Sequence, residues 1–238
     1  QRKFIKKLKN NILEISNLEV FSKIDSRKKL VNSISFNVRR GKTTCIVGES
    51  GSGKSLTALS VMQLLSQQLN LTGKILFNGS NLCEIDSESI RKKRGNEIAM
   101  IFQDPMTSLN PVLTIGYQIE ESLMVHNDLS RSQLNVRINE LLRLVAINPD
   151  RVNSYPDELS GGQRQRIMIA MAMSCNPDLL IADEPTTALD VTVQAQILEL
   201  LDQLKKKLDM SMLFITHDFG VVADIADDVV VMYQGKIV

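Results

Sequence analysis

The stretch Gly48 to Ser55 combines the residue types and the spacing that bind phosphate groups in proteins. It reads G-E-S-G-S-G-K-S and lies between the apolar run Cys45-Ile46-Val47 and a helix-like segment from Leu56 to Leu65. Glycines allow the backbone to turn tightly, so that successive N–H groups and the positive end of the following helix point into one concavity. The stretch therefore predicts a loop that binds a polyphosphate; a glycine-rich turn without a ligand is the alternative.

Two side chains of this loop have distinct predicted roles. Lys54 supplies a point charge for the β and γ phosphates, and the hydroxyl of Ser55 is placed to ligate Mg²⁺. The residues predicted to line the nucleotide here are Gly48, Glu49, Ser50, Gly51, Ser52, Gly53, Lys54, Ser55 and Leu56.

Two carboxylates follow the continuous apolar run Leu179-Leu180-Ile181-Ala182. A run without polar alternation is typical of a strand covered on both faces of a parallel sheet. At the end of that strand Asp183 is expected to hold Mg²⁺, directly or through water, and Glu184 is expected to act as the general base on the attacking water. A solvated acidic turn is the alternative.

Gln103 follows a further strand-like run, Ile98 to Phe102. Ligands of open α/β sheets are met at the carboxyl ends of strands, so we expect Gln103 to reach Mg²⁺ or the attacking water. His217 follows the run Met212 to Thr216 in the same way and is a candidate contact of the γ-phosphate, although a single histidine after a strand is usually an ordinary polar group.

A second short segment with anion-binding character is Leu159-Ser160-Gly161-Gly162-Gln163, which precedes the helix-forming residues 164–175. Ser160 stands where an N-cap is expected, and the glycines leave backbone N–H groups accessible. An ordinary Ser-Gly-Gly cap explains this segment equally well when it is taken alone. Phe21 is a candidate for stacking on a nucleotide base, and a half-buried strand residue is the equal alternative.

The remaining pattern predicts an alternating α/β chain with a helical insertion. Strand-like runs occur at 12–15, 34–38, 73–77, 98–102, 179–184, 212–216 and 229–233. From residue 115 to about 150 apolar residues repeat at spacings of three and four, with no strand signals. A further helix is predicted from Val191 to Lys207, after Asp190.

Composition and charge limit the class of protein. The 238 residues are 43% hydrophobic and 23% charged, with a net charge of +1, which is typical of a globular protein and gives no electrostatic case for nucleic acid. No apolar run reaches the ~18 residues of a membrane span, so we expect membrane association to go through a partner. Three scattered cysteines do not have zinc-ligand spacing and indicate reduced thiols in the cytosol.

The two ends of the sequence suggest expectations of their own. The chain begins at Gln1 without an initiator Met and stops at Val238, which suggests a fragment of a longer polypeptide. Basic residues cluster between Gln1 and Asn10, where an exposed end is favoured over a contact with anionic lipid.

These motifs together resemble the ATP-binding cassette (ABC) ATPases over nearly the whole chain. In chain order, Gly48 to Ser55 is similar to the Walker A motif, Gln103 to the Q-loop, Leu159 to Gln163 to the LSGGQ motif, Leu179 to Glu184 to Walker B, Ala188 to Asp190 to the D-loop, and His217 to the switch histidine. The stretches Val47 to Ser55, Ile101 to Pro111 and Ala182 to Gln196 further resemble the branch that imports oligopeptides, dipeptides, glutathione or nickel.

The resemblance implies a fold and a division of the chain. The fold is a P-loop NTPase (RecA-like) α/β core with an N-terminal antiparallel β subdomain and an inserted α-helical subdomain. The expected division is residues 1–89 for the β subdomain and first part of the ATP-binding core, 90–157 for the helical subdomain with the Q-loop, and 158–238 for the second part of the core.

The resemblance also implies an activity and partners. Two such domains, identical or different, associate head to tail, so that ATP with Mg²⁺ lies between the phosphate loop of one and Ser160, Gly161, Gly162 and Gln163 of the other, with Asp190 nearby. Glu184, His217 and Gln103 then serve hydrolysis. Transmembrane permease subunits, and indirectly an extracytoplasmic solute-binding protein, are the expected partners at the cytoplasmic face of the inner or plasma membrane.

The sequence departs from the usual pattern of this branch at two points. The branch usually has its base-stacking aromatic at the position of Ser22, one residue after Phe21, and carries an extension after the last strand.

A soluble ABC ATPase of translation or DNA repair is the alternative, but it normally has a basic surface or a distinctive insert. A non-hydrolysing regulatory cassette would be expected to lack Glu184 or His217, and both are present.

Overall fold

The computed structural model describes residues 10–25, 27–103, 108–187 and 189–238. The basic N-terminal turn, the importer-like residues 104–107 and Ala188 of the D-loop-like segment lie outside the described residues. The chain divides into two units, one formed by Gln1–Arg91 with Asp209–Val238 and the other by Lys92–Leu208.

The described helices and strands alternate along most of the chain. In order they are β1 (Asn11–Ser22), β2 (Lys29–Arg39), β3 (Thr43–Val47), α1 (Lys54–Val61), β4 (Leu69–Phe77), β5 (Ser80–Asn81), α2 (Ser87–Lys93), β6 (Ile98–Ile101), α3 (Ile115–Met124), α4 (Arg131–Leu144), α5 (Gly161–Ala172), β7 (Leu179–Asp183), α6 (Val191–Leu208), β8 (Ser211–Thr216), α7 (Phe219–Ile225), β9 (Asp228–Tyr233) and β10 (Lys236–Ile237), with two 3₁₀ turns at Pro149–Asn153 and Pro156–Glu158.

An antiparallel sheet in the first unit has the strand order β2-β1-β4-β5. Apolar side chains on β1 alternate with polar ones, and Ile15, which is 1% exposed, pairs with Phe36 on one side and Ile75 on the other. The turn from β4 to β5 is made by Asn78 and Gly79, with φ of 51° and 83°, which is the left-handed geometry that an Asn-Gly hairpin turn needs. The predicted N-terminal antiparallel subdomain is therefore confirmed.

The strands that carry the phosphate loop form a second, mainly parallel arrangement in the same unit. β3 pairs in parallel with β8 and with β9, and β10 closes the far side antiparallel to β9. Every residue of β3 and β8 is buried, as expected for strands covered on both faces. Arg39 at the end of β2 donates two hydrogen bonds of 2.8 Å to the carboxylate of Asp228 on β9, which joins the two sheets of this unit and raises the pKa of the guanidinium.

The second unit combines a parallel strand pair with helices. β6 and β7 pair in register from Ile98 with Leu179 to Ile101 with Ala182. Helix α4 begins with a capping box made by Ser130 and Gln133, and its apolar stripe is buried, as the spacing predicts. The buried residues of this stripe and the residue after it are Leu134, Ile138, Leu141, Leu142 and Val145.

Several element boundaries differ from the sequence prediction; strands β1 and β2, for example, extend beyond the predicted runs 12–15 and 34–38. Helix α1 ends at Val61 rather than Leu65, because the chain passes into a left-handed conformation at Gln63, with φ of 52°. Strand β4 begins at Leu69 rather than Gly73, since Leu69 to Thr72 pair with β1. Gly73 is an interior strand residue with φ of 104°, and a Cβ there would lie 2.5 Å from the carbonyl oxygen of Asn17.

The division of the chain into 1–89, 90–157 and 158–238 stays a prediction. The structure places residue 157 inside the unit Lys92–Leu208. Of the helices that the structure describes, none has both the length and the apolar composition required to cross a membrane.

Candidate nucleotide site

The phosphate loop leaves β3 and enters α1 through glycines that no other residue can replace without strain. A Cβ on Gly48 would lie 2.0 Å from the carbonyl oxygen of Met232 on β9, so the loop begins in direct contact with a neighbouring backbone. Gly53, the N-cap of α1, has φ of 99°, and its Cβ would lie 3.0 Å from the carbonyl oxygen of Leu30. The tight turn predicted from the sequence is therefore present, and strand backbones shape it.

Lys54 is folded over this loop. Its side chain is 5% exposed and donates hydrogen bonds from Nζ to the carbonyl oxygens of Gly48, at 2.7 Å, and Glu49, at 2.9 Å. The Oγ of Ser52 is buried and has no hydrogen-bond partner among the described residues. A buried hydroxyl without a partner is unfavourable, and a phosphate oxygen bound in the loop would satisfy it. Ser55 lies in the first turn of α1, where it is half-buried.

His217 leaves the parallel strands at the same edge as the loop. Val47 pairs with Thr216, so Gly48 and His217 are the next residues of two adjacent strands. The imidazole is exposed, and Asp218, which follows it, accepts a hydrogen bond of 2.7 Å from the N–H of Gly220 as the N-cap of α7. Phe21 is half-buried on β1, where it pairs with Lys29 and Asn70, and its stacking role stays a prediction.

The second unit brings Gln103 and Glu184 together. The register of β6 with β7 directs both strand ends to one edge, and Nε2 of Gln103 donates a hydrogen bond of 3.1 Å to Oε2 of Glu184. Asp183, the last residue of β7, is 4% exposed. The predicted base and the predicted Q-loop side chain are thus in direct contact, and the predicted metal ligand is the residue beside them.

Thr187 is a partner of Glu184 that the sequence analysis missed. Its Oγ1 donates a hydrogen bond of 3.1 Å to the same oxygen, Oε2, and its backbone N–H donates to the carbonyl oxygen of Glu184, also at 3.1 Å. Glu184 itself has φ of 46°, in the left-handed region. A hydroxyl three residues after a carboxylate, with a proline between them, was the available signal.

The LSGGQ-like segment forms the start of α5 as predicted. Ser160 is the N-cap: its Oγ accepts a hydrogen bond of 3.3 Å from the N–H of Gln163, and Oε1 of Gln163 accepts one of 3.0 Å from the N–H of Ser160. The ordinary capping interaction is therefore present, and the proposed contact with a phosphate is additional to it.

The two glycines of this segment differ in their surroundings. A Cβ on Gly162 would lie 2.6 Å from Cγ1 of Val193 in α6, whereas one on Gly161 would meet Cδ2 of Leu189 at an ordinary 3.6 Å. Gly162 therefore permits α5 and α6 to approach closely, a packing role that the sequence analysis did not identify. Asp190 caps α6, since its Oδ1 accepts a hydrogen bond of 2.9 Å from the N–H of Val193, and its contact with nucleotide stays a prediction.

Comparison with known proteins assigns the family. The family model described as "ABC transporter" matches residues 31–187, and the chain belongs to this family. It is 52% identical over 232 residues to a probable peptide ABC transporter ATP-binding protein of Sinorhizobium fredii, covering 95% of this chain and 69% of that protein. It is 51% identical to the oligopeptide transport ATP-binding protein OppD of Bacillus subtilis, covering 95% of this chain and 65% of OppD.

The glutathione import ATP-binding protein GsiA of Escherichia coli is 51% identical over 238 residues, which cover 96% of this chain and 38% of GsiA. The chain thus spans about two thirds of the length of the peptide-transport relatives and a smaller share of GsiA. The resemblance to the peptide, oligopeptide and glutathione branch, inferred from residues 47–55, 101–111 and 182–196, is confirmed.

Solved structures confirm the fold. The dimeric bacterial ABC transporter cassette MJ0796 matches with a TM-score of 0.82 and 26% identity, over 94% of this chain and 96% of that one. The same cassette has been solved as a dimer in a post-hydrolysis state bound to ADP and Pi. The cassette cbiO1 of Clostridium perfringens, part of the complex cbiONQ, matches with a TM-score of 0.83 and 27% identity, over 97% of this chain and 88% of that one.

Proposed function

We propose that this chain is the ATP-hydrolysing subunit of an ABC importer, which drives uptake of peptides or related small solutes through partner permeases. The observation that carries the proposal is the carboxylate of Glu184, held by Gln103 at the end of a buried strand, in a chain about half identical to peptide-import ATP-binding proteins. Those relatives match over nearly the whole chain, which supports transport over the alternative of a soluble ABC ATPase.

ATP is bound in this proposal by the loop Gly48 to Ser55. Backbone N–H groups and the start of α1 attract the phosphates, and the unpartnered hydroxyl of Ser52 donates to a phosphate oxygen. Lys54 then exchanges its bonds with the loop carbonyls of Gly48 and Glu49 for the stronger attraction of the β and γ phosphates. Leu56 lies next to this group of residues in the first turn of α1.

Hydrolysis is assigned in this proposal to Glu184, with His217 and Gln103 in supporting roles. Glu184 accepts a proton from the water as the water oxygen attacks the γ-phosphorus, and the bond from that phosphorus to the bridging oxygen of ADP breaks. His217 contacts the γ-phosphate, and Gln103 orients the water. Oxygen donors are the ligands that Mg²⁺ prefers, and the predicted ligands Ser55, Asp183 and Gln103 each carry a side-chain oxygen; when bound, Mg²⁺ would neutralise charge on the phosphates.

The remaining predicted contacts are assigned to a second cassette. We propose that Ser160, Gly161, Gly162 and Gln163 of one domain face the phosphates bound to another, with Asp190 beside them, in a head-to-tail dimer. The dimeric state of the related cassette MJ0796 supports this arrangement. The second domain is an identical chain or a different cassette.

The location follows from the partners. The family's transporter role supports a peripheral position at the membrane, and we propose its cytoplasmic face, where ATP is available. Permeases then make the direct contact, and an extracytoplasmic solute-binding protein acts only through them. A net charge of +1 gives no electrostatic support for a nucleic-acid partner.

The proposal is tested by purifying the full chain with its membrane partners and reconstituting them in liposomes. We expect uptake of labelled peptide that requires ATP and that stops in the Glu184→Gln variant, whereas an Asp202→Asn variant, altered at an exposed ion pair on α6, serves as the matched control. ATP hydrolysis by a chain that co-purifies with ribosomes or DNA, and with no permease, would contradict the transporter assignment.

A further inference from the structure

The carboxylate of Glu184 is anchored at one oxygen by two donors from different parts of the second unit. Nε2 of Gln103 and Oγ1 of Thr187 both lie 3.1 Å from Oε2. Gln103 is exposed and follows β6, whereas Thr187 is half-buried and belongs to the same turn as Glu184. Of the two donors, Thr187 is therefore the one whose position is fixed relative to the carboxylate by the local chain.

The backbone around Glu184 explains why this contact forms. Glu184 has φ of 46°, the ring of Pro185 fixes the φ of that proline, and the N–H of Thr187 closes the turn on the carbonyl oxygen of Glu184 at 3.1 Å. Left-handed backbone at a non-glycine residue costs free energy and persists where surrounding contacts impose it. The turn places the hydroxyl of residue 187 next to the carboxylate of residue 184.

We propose that Thr187 is a positioning residue for ATP hydrolysis, which holds the Glu184 carboxylate in the orientation needed to accept the proton of the attacking water. The inference rests on the proposed function, because it concerns the same base. Anchoring Oε2 restricts rotation about the last side-chain bond of Glu184, and this fixes the direction of the other carboxylate oxygen. Reduced rotation of a catalytic group increases the fraction of bound complexes in reactive geometry.

The two donors to Oε2 of Glu184 therefore have different expected roles. The exposed Gln103 is able to leave Oε2 when it turns to water or metal, while the hydroxyl of Thr187 remains. The carboxylate therefore keeps its orientation at the stage at which the proton of water is transferred to Glu184. Thr187 contacts neither water nor nucleotide in this account and acts only through Glu184.

The test is the ATPase activity of the full chain, assembled with its permease partners, in the variants Thr187→Val and Thr187→Ser. Valine has the shape of threonine without the hydroxyl, so kcat should fall about tenfold, as expected for loss of one hydrogen bond to a charged group, with KM for ATP within about twofold. Serine keeps the hydroxyl and should restore kcat to within about threefold of the parent. Equal kcat for the valine variant and the parent would overturn the inference.

A second measurement separates positioning from a general loss of structure. In the Glu184→Gln background, residual hydrolysis is followed in single-turnover reactions with radiolabelled ATP, and adding Thr187→Val should change it by less than about twofold. A further tenfold fall there would show that Thr187 acts independently of Glu184 and would refute the inference. Rapid turnover by Glu184→Gln alone would instead refute the assigned base, so the two failures are distinguishable.

Discussion

The residues of the phosphate loop are held by two kinds of contact. Gly48 and Gly53 are required by the close approach of neighbouring backbones, at Met232 and Leu30. Lys54 and Ser52, by contrast, make contacts that bound phosphate would change: the ammonium group bonds to loop carbonyls, and the hydroxyl of Ser52 has no partner among the residues described. The loop shape is therefore set by the fold, and its polar groups are available for nucleotide.

The predicted role of Ser55 as a Mg²⁺ ligand can be tested by removing its hydroxyl. Removal of its hydroxyl in Ser55→Ala should weaken ATP binding about tenfold or more when Mg²⁺ is present, because one metal ligand is lost. Without Mg²⁺ the affinity should change little. Titration calorimetry with ATP, with and without Mg²⁺, measures both values, and Ser55→Thr, which keeps the hydroxyl, is the control. An unchanged affinity in the presence of Mg²⁺ would contradict the ligand role.

At the residue scale, the sequence motifs identified the side chains of the candidate site but not all of the contacts between them. Spacing identified Gln103, Asp183, Glu184 and Ser160, because short motifs after strands and before helices have few structural solutions. The bond from Thr187 to Glu184 depends on a left-handed φ at a non-glycine residue, which no local propensity indicates. The spacing of Glu184, Pro185 and Thr187 is typical of a turn, and the backbone conformation of that turn shows that the two side chains meet.

The close contact of helices α5 and α6 is the feature that matters most at the scale of elements. Gly162 in the first turn of α5 lies against Val193 of α6, and Asp190 caps α6 in the segment just before it. The LSGGQ-like helix start and the start of α6, with its cap Asp190, are consequently packed together within the second unit.

A set of alanine variants tests this packing. In Gly162→Ala the new Cβ meets Cγ1 of Val193 at 2.6 Å, and valine in a helix has one strongly preferred rotamer. We expect a loss of about 1–3 kcal/mol from overpacking, which corresponds to about 2–4 °C in Tm for each kcal/mol in a domain of this size. Thermal unfolding of the full chain provides the measurement.

Gly161→Ala is the matched control, because its Cβ has an ordinary contact of 3.6 Å with Leu189, and its Tm should not fall. Adding Gly162→Ala to Val193→Ala should cost much less than adding it to the parent chain, since the clashing methyl group is gone. The same fall in Tm in both backgrounds would show that Gly162 does not serve this packing.

Most helices and strands were predicted as the correct type from the sequence, but several of their boundaries were not. Strand-like runs predicted parts of β1, β2 and β4, and apolar spacing predicted α4 and α6, because burial imposes a helical period on the apolar residues. Gly73 was taken as the start of β4, yet the strand begins at Leu69. Glycine normally interrupts strands, but here it allows β4 to lie against the carbonyl oxygen of Asn17, a contact distant in sequence.

At the scale of the whole molecule, the chain carries two complementary sets of residues. The first unit has the phosphate loop and His217, and the second has Gln103, Asp183, Glu184 and the LSGGQ-like helix start. Two anion-binding helix starts in one chain are explained if each serves a different nucleotide in a dimer, as we propose.

Glu184 is the residue that we propose activates water for ATP hydrolysis. The most direct test is the rate of phosphate release at saturating ATP and Mg²⁺ by the assembled transporter carrying Glu184→Gln, together with the ATP retained by the purified protein. We predict that kcat falls by about 100-fold or more, because a neutral amide is not a base, while ATP remains bound in a stable dimer. Turnover within twofold of the parent enzyme would rule out Glu184 as the general base.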